Sequence, residues 1–150
     1  MHITYKQLGI FDISEFKALM KLFSEVFKEK DTYQGVKPSK NYITNFLSDN
    51  KHIVLIAQDE SSVIGGLVAY ELKKFEQERS EIYLYDLAVS TAYQRKGMGT
   101  TLIKNLIKIA KENGVSTIFV QAEKVDYEAI SFYKSLHSKQ IDTYTFDIQL

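Results

Sequence analysis

Residues 85–102 read YDLAVSTAYQRKGMGTTL. An apolar strand runs into a Gly-rich, basic turn, Gln94-Arg95-Lys96-Gly97-Met98-Gly99. A helix follows, with Leu102, Ile103, Leu106, Ile107 and Ala110 on one face. This unit demands an α/β fold in which a crossover helix joins parallel neighbours. The turn leaves the first helical N–H groups without intrahelical partners. Glycine lets a ligand approach that backbone, and the helix dipole together with Arg95 and Lys96 favours an anion there. A Gly97/Gly99 pair serves equally well as a simple tight turn or as a phosphate cradle.

The remaining periodicities surround this unit with a mixed sheet. His2 to Leu8 alternate as a strand. Asp12 or Ser14 caps a helix through about Lys28, on which Ile13, Phe16, Leu19, Met20, Phe23 and Phe27 recur at helical spacing. Residues 29–38 are polar, hold the single proline, and read as a loop. Ser39 caps a second helix. HIVLIAQD and SVIGGLVAYEL form a hairpin about Glu60-Ser61, and EIYLYDLAVS is the third strand of that group. After the helix stop at Asn113-Gly114 come the strand STIFVQA, the short helix DYEAISFYKSL and a closing strand, QIDTYTFDIQL. The predicted order is β-α-α-β-β-β-α-β-α-β over one domain of 150 residues, with antiparallel strands first and a parallel pair later.

Charge and composition narrow the function. Nineteen basic residues balance nineteen acidic ones, which argues against a nucleic-acid or membrane-surface binder. The absence of cysteine removes thiolate chemistry and disulfides, and three scattered histidines offer no metal-ligand spacing. The first residues lack the apolar centre of a secretory signal, so a cytoplasmic location is expected.

Two common phosphate patterns fail around Gly97. A P-loop needs four residues between its glycines and then Gly-Lys-Ser/Thr. A dinucleotide fingerprint needs glycine where Leu102 stands. Gln94-Arg95-Lys96-Gly97-Met98-Gly99 instead resembles the Gln/Arg-x-x-Gly-x-Gly/Ala signature of the GNAT acetyltransferases. That resemblance implies a GNAT-like mixed sheet flanked by helices on both faces, with acetyl-coenzyme A (acetyl-CoA) as acetyl donor. It implies that Leu87, Ala88 and Val89 line the pantetheine arm, and that Gln94, Arg95, Lys96, Gly97, Met98, Gly99 and Thr100 cradle the pyrophosphate. From Lys74 onward, KFEQERSEIYLYDLAVS, VQAEKVDYEAISFYKSL and FDI resemble the aminoglycoside 3-N-acetyltransferase branch. That branch implies a small-molecule amine acceptor, antibiotic resistance and a homodimer. Lys124 and His137 depart from its pattern.

Direct transfer to an amine needs a proton acceptor, an oxyanion donor and a proton for the leaving thiolate. Counted by twos, Asp86 shares an apolar strand face with Ile82, Leu84 and Ala88, where a carboxylate needs a partner or suffers a raised pKa. It serves either as a base or as a structural carboxylate satisfied by nearby N–H groups. Glu81, on the other face by the same count, is the second candidate. The resemblance places Tyr133 near the coenzyme A sulfur as proton donor, and the Leu87-Ala88 backbone as oxyanion donor. Glu81, Asp86, Glu123, Asp126 and Asp147, with Glu76, Glu78 and Glu128 nearby, form either an acidic vestibule for a cationic acceptor or ordinary solvated surface. Acetylation of a protein amine, or coenzyme A binding without catalysis, are the competing functions.

Overall fold

The first helix is set by its apolar stripe. Leu19, Leu22 and Phe23 are buried, with Ile13, Phe16, Val26 and Phe27 packed beside them. This helix, α1 (Ile13–Phe27), follows strand β1 (Ile3–Gln7). Asp12 occupies its N-cap position, but its carboxylate turns back to accept the Gly9 N–H at 2.7 Å and to pair with Lys6. Its carboxylate braces the β1–α1 turn, and only its backbone carbonyl serves the helix start, accepting the Phe16 N–H at 3.0 Å. Ser39 caps α2 (Lys40–Ser48) as expected, its hydroxyl accepting the Tyr42 N–H at 3.1 Å. The structure, a computed structural model, describes residues 1–29, 32–33 and 35–150; residues 30, 31 and 34 of the expected 29–38 loop lie outside it.

Strands β2 (His52–Asp59), β3 (Ser62–Lys73) and β4 (Ser80–Val89) continue the sheet antiparallel. After β4 come a short 3₁₀ turn, Thr91–Tyr93, then α3 (Met98–Glu112) and β5 (Val115–Val120), which pairs parallel to β4. Spatial order follows chain order, β1-β2-β3-β4-β5. Gly114, at φ 67°, ends α3 where the Asn-Gly pair predicts a stop.

The two sheet faces carry separate cores. Val54, Ile56 and Ala88 bury against α1 and α2, while α3 packs across the other face from β2 to β5. At one point α1 lies directly on the sheet: a Cβ built on Gly66 would stand 2.5 Å from Leu19 Cδ1 and 2.7 Å from the Leu55 carbonyl oxygen. Only a residue without a side chain permits that approach.

Backbone packing divides the chain into Met1–Val120, which holds the sheet, and Gln121–Leu150. Within the second unit, α4 (Tyr127–Ser135) is capped by Asp126, whose carboxylate accepts the Ala129 N–H at 3.0 Å. The expected closing strand does not form. Residues 140–150 keep an alternating pattern, yet they join no ladder, and Tyr144, Phe146, Ile148 and Leu150 are exposed. Alternation alone does not make a strand; it needs a neighbour to take its N–H and C=O groups.

Candidate active site

The site begins with one surplus residue. Along the β3–β4 ladder Leu84 pairs with Ala69 and Asp86 with Val68, leaving Tyr85 without a register partner. This β-bulge overturns the face assignment made by counting in twos. Ile82 and Leu84 belong to the fully buried α3 face. Asp86 shares the other face with Val68, Val54 and Ala88, and Glu81 is on that same face, not opposite.

The bulge also opens an edge. The β4–β5 ladder runs from Ser80–Val115 to Leu84–Val120 and stops where the bulge begins. Ser90 N–H bonds the Ile64 carbonyl of β3 at 2.8 Å. Antiparallel residues alternate in direction, so Ala88 also faces β3, while Leu87 and Val89 present their peptide groups to the side β5 has left. Of these, the Val89 carbonyl accepts Gln94 Nε2 at 2.9 Å. Gln94 therefore ties the strand end to the turn.

Asp86 is held by a residue the sequence did not single out. Tyr33 donates its hydroxyl to Asp86 Oδ2 at 2.8 Å, and its ring packs 5.8 Å from Phe23 and 5.9 Å from Phe27 of α1. Burial pushes the Asp86 carboxyl above its ordinary range; the Tyr33 hydrogen bond opposes that rise and the Glu29 charge adds to it. Burial and the Asp86 charge push the Tyr33 phenol far upward, so it remains a donor. Glu81, by contrast, is ion-paired: Lys74 Nζ lies 3.1 Å from Glu81 and 2.8 Å from Glu76.

A consequence can be measured. Tyr33 favours the ionised carboxylate, so Tyr33→Phe should raise the Asp86 pKa further and move the titration of its carboxyl carbon in NMR to higher pH. An unmoved titration would show that the Tyr33 hydroxyl does not stabilise the Asp86 carboxylate.

The turn after β4 has the backbone an anion requires. Arg95 and Gly97 both take left-handed φ angles, 62° and 80°, and no side chain caps α3. The first helical bond is Thr101 N–H to Gly97 O, leaving the N–H groups of Met98, Gly99 and Thr100 outside the helical ladder. A Cβ on Gly97 would meet nothing within 4 Å, so its glycine answers the φ angle and not crowding. Met98 buries its side chain and can offer a ligand only backbone. Lys96 folds back along the turn but stays exposed, donating to the Ala92 carbonyl at 3.0 Å with its ammonium 5.4 Å from the Tyr93 ring centroid. These residues fit a pyrophosphate, with Arg95 and Lys96 as exposed positive charges.

The other expected residues belong to the second unit. Tyr133 is a half-buried member of α4 with its ring 5.2 Å from Phe132. Glu123, Asp126 and Asp147 are exposed, and Asp126 is engaged as a helix cap. Lys124 lies 5.5 Å from the Tyr144 ring centroid. Among the described residues no group of three or more His, Asp or Glu side chains is placed to hold a metal, and no helix is long and apolar enough to cross a membrane.

Comparison with known proteins decides the family. The acetyltransferase (GNAT) family matches residues 16–137. The chain belongs to the GNAT family. This GNAT chain is similar in structure to an aminoglycoside acetyltransferase from an uncultured soil metagenomic sample, with a TM-score of 0.96, 39% identity, and coverage of 100% of this chain and 99% of that one. A second soil-metagenome aminoglycoside acetyltransferase, solved in complex with trehalose, gives a TM-score of 0.87 at 32% identity, covering 98% and 97% of the two chains. That enzyme has also been solved in complex with sisomicin. Among curated relatives, human N-acetyltransferase 8 is 21% identical over 131 residues, covering 87% of the GNAT chain. The chain spans 58% of that relative's length. The bS18-alanine N-acetyltransferase of Escherichia coli K12 is 36% identical over 56 residues, 37% of this chain and 38% of the enzyme.

Proposed function

We propose that this GNAT chain, acting as one domain over residues 1–150, transfers an acetyl group to a primary amine of an aminoglycoside, the 3-amino group of deoxystreptamine. The observation that carries this reading is the 39% identity and full-length structural match to an aminoglycoside acetyltransferase. The partly buried, tyrosine-held Asp86 beside an opened strand edge agrees with it.

When bound, acetyl-coenzyme A supplies the thioester carbonyl. The Met98, Gly99 and Thr100 N–H groups and Arg95 hold its pyrophosphate at the start of α3. The outward-facing Leu87 N–H is the oxyanion donor. Asp86 receives the acceptor ammonium and takes its proton, directly or through water, as its raised pKa suits. Tyr133 is assigned from the family resemblance alone as the proton donor to the departing thiolate. Glu81, the second candidate base, is ion-paired with Lys74 and would have to leave that pair to meet the acceptor's charge. A homodimer and a cytoplasmic location remain part of the proposal.

The test is release of coenzyme A thiol with gentamicin-type aminoglycosides, linear polyamines and short peptides measured side by side. Aminoglycosides should exceed the other amines in kcat/KM by at least about tenfold. Preference for peptides would move the chain to protein-amine acetylation. Coenzyme A binding with no acceptor-dependent thiol release would make it a binding module.

A further inference from the structure

We infer that an aromatic row crossing the sheet beside Asp86 is the acceptor's seat, and that it selects amines carried on a saturated ring. This rests on the acetyltransferase reading above and names what recognises the acceptor. The row is built by register: His52 lies opposite Tyr70, Tyr70 opposite Tyr83, and Tyr83 opposite Phe119, on four successive strands. The His52 and Tyr70 rings meet edge-on at 5.3 Å, and Tyr83 stacks on Phe119 at 4.8 Å. The bulged Tyr85 joins them, 5.7 Å from Tyr70 and 5.5 Å from Tyr83. Register partners share a face, so the row lies on the side that carries Asp86 and Glu81.

The β2 end of the row lies against α2, where Phe46 stacks on His52 at 4.1 Å and meets Tyr70 edge-on at 6.0 Å; toward Tyr83 and Tyr85 burial separates the row from a core. Farther along the same face Val54 and Ile56 are sealed beneath α1 and α2. The row's rings stay partly accessible, and Tyr85 is 58% exposed. Aromatic packing inside a core would have taken that surface out of water. Electron-rich ring faces attract ammonium groups and the polarised C–H bonds of an amino sugar or aminocyclitol. Asp86 supplies the complementary negative charge at the row's margin, whereas Glu81 on the same face is paired with Lys74. A ring-bearing polyamine satisfies both the faces and the charges. A linear polyamine satisfies the charges only.

The row discriminates by ring face, so the decisive substitution is Tyr85→Ala compared with Tyr85→Phe. Tyr85→Ala should raise KM for a gentamicin-type aminoglycoside about tenfold, the scale of a desolvated cation–aromatic contact. KM for a linear polyamine and the aminoglycoside KM of Tyr85→Phe should each stay within about twofold of the native values. An aminoglycoside KM unchanged in Tyr85→Ala, or Tyr85→Phe as harmful as Tyr85→Ala, overturns the inference. Saturation-transfer NMR on the full chain without acetyl-coenzyme A decides independently of turnover. Saturation should pass from aromatic protons to the aminoglycoside ring protons and fall in Tyr85→Ala. If no amine is acetylated but ring saturation is seen and lost on substitution, the catalytic reading fails and the seat stands. If amines are acetylated without ring saturation, the seat fails and the catalytic reading stands. Should Tyr85→Ala melt early in circular dichroism, Tyr83→Leu, which keeps apolar bulk and removes the ring, takes its place with the same two outcomes.

Discussion

Asp86→Asn is expected to lower kcat by at least about tenfold, within reach of the 10²–10⁴-fold that a general base contributes, while acetyl-coenzyme A binding is retained. Asparagine has the same shape and still accepts the Tyr33 hydroxyl, but it cannot take a proton. The stability side separates chemistry from folding. The Asp86 pKa is raised in the folded state. Its contribution to stability is therefore full below the ordinary carboxylate pKa and is lost as pH rises through the folded value. At neutral pH the ionised carboxylate costs stability, so the asparagine variant should melt no lower than the native chain. Lost turnover with an unchanged melt assigns the effect to Asp86's proton chemistry. Undiminished turnover removes it from the mechanism, whatever the melt shows.

Gly66→Ala should produce the largest loss of stability from a single methyl group. That methyl would stand 2.5 Å from Leu19 Cδ1 and 2.7 Å from the Leu55 carbonyl oxygen. Leu19 can turn its side chain, but the Leu55 carbonyl belongs to the β2 backbone and moves only with the sheet. Overpacking of this kind costs typically about 1–3 kcal/mol, which for a chain of this size lowers Tm by roughly 3–10 °C. A double-mutant cycle with Leu19→Ala apportions the cost: the part due to Leu19 disappears, and the part due to the Leu55 carbonyl remains. A Tm within about 1 °C of native would show that α1 does not rest on the sheet at Gly66.

Most of the fold was legible because its signals are local. Helical spacing in α1 and α3, the Ser39 cap and the Asn113-Gly114 stop each depend on residues a turn apart. Gly97 marked the start of α3 for the same reason. Asp86 was legible as an anomaly but not in its setting. Tyr33 reaches it from 53 residues away, out of a segment with no regular pattern. The face shared by Asp86 and Glu81 was misread because counting by twos passes over a bulge without registering it. The aromatic row was hidden likewise: His52, Tyr70, Tyr83 and Phe119 become neighbours only through register, which depends on how three strand pairs slide together. The segment 140–150 erred in the other direction, since its alternation promised a ladder that the chain does not make.

Ten residues of β4 face nine of β3, and the opening beside Leu87 and Val89 comes from that arithmetic. It is a property of residue number before it is one of residue type. Substitutions along the strand change its side chains, and with them the proposed acceptor seat, while the gap persists. A one-codon deletion at position 85 acts differently: each remaining side chain keeps its face, the ladder regains its match, and β5 has a regular edge to follow past Leu84. If the row is the acceptor's seat, acceptor preference lies open to gradual change, whereas shortening the strand would close the opening itself.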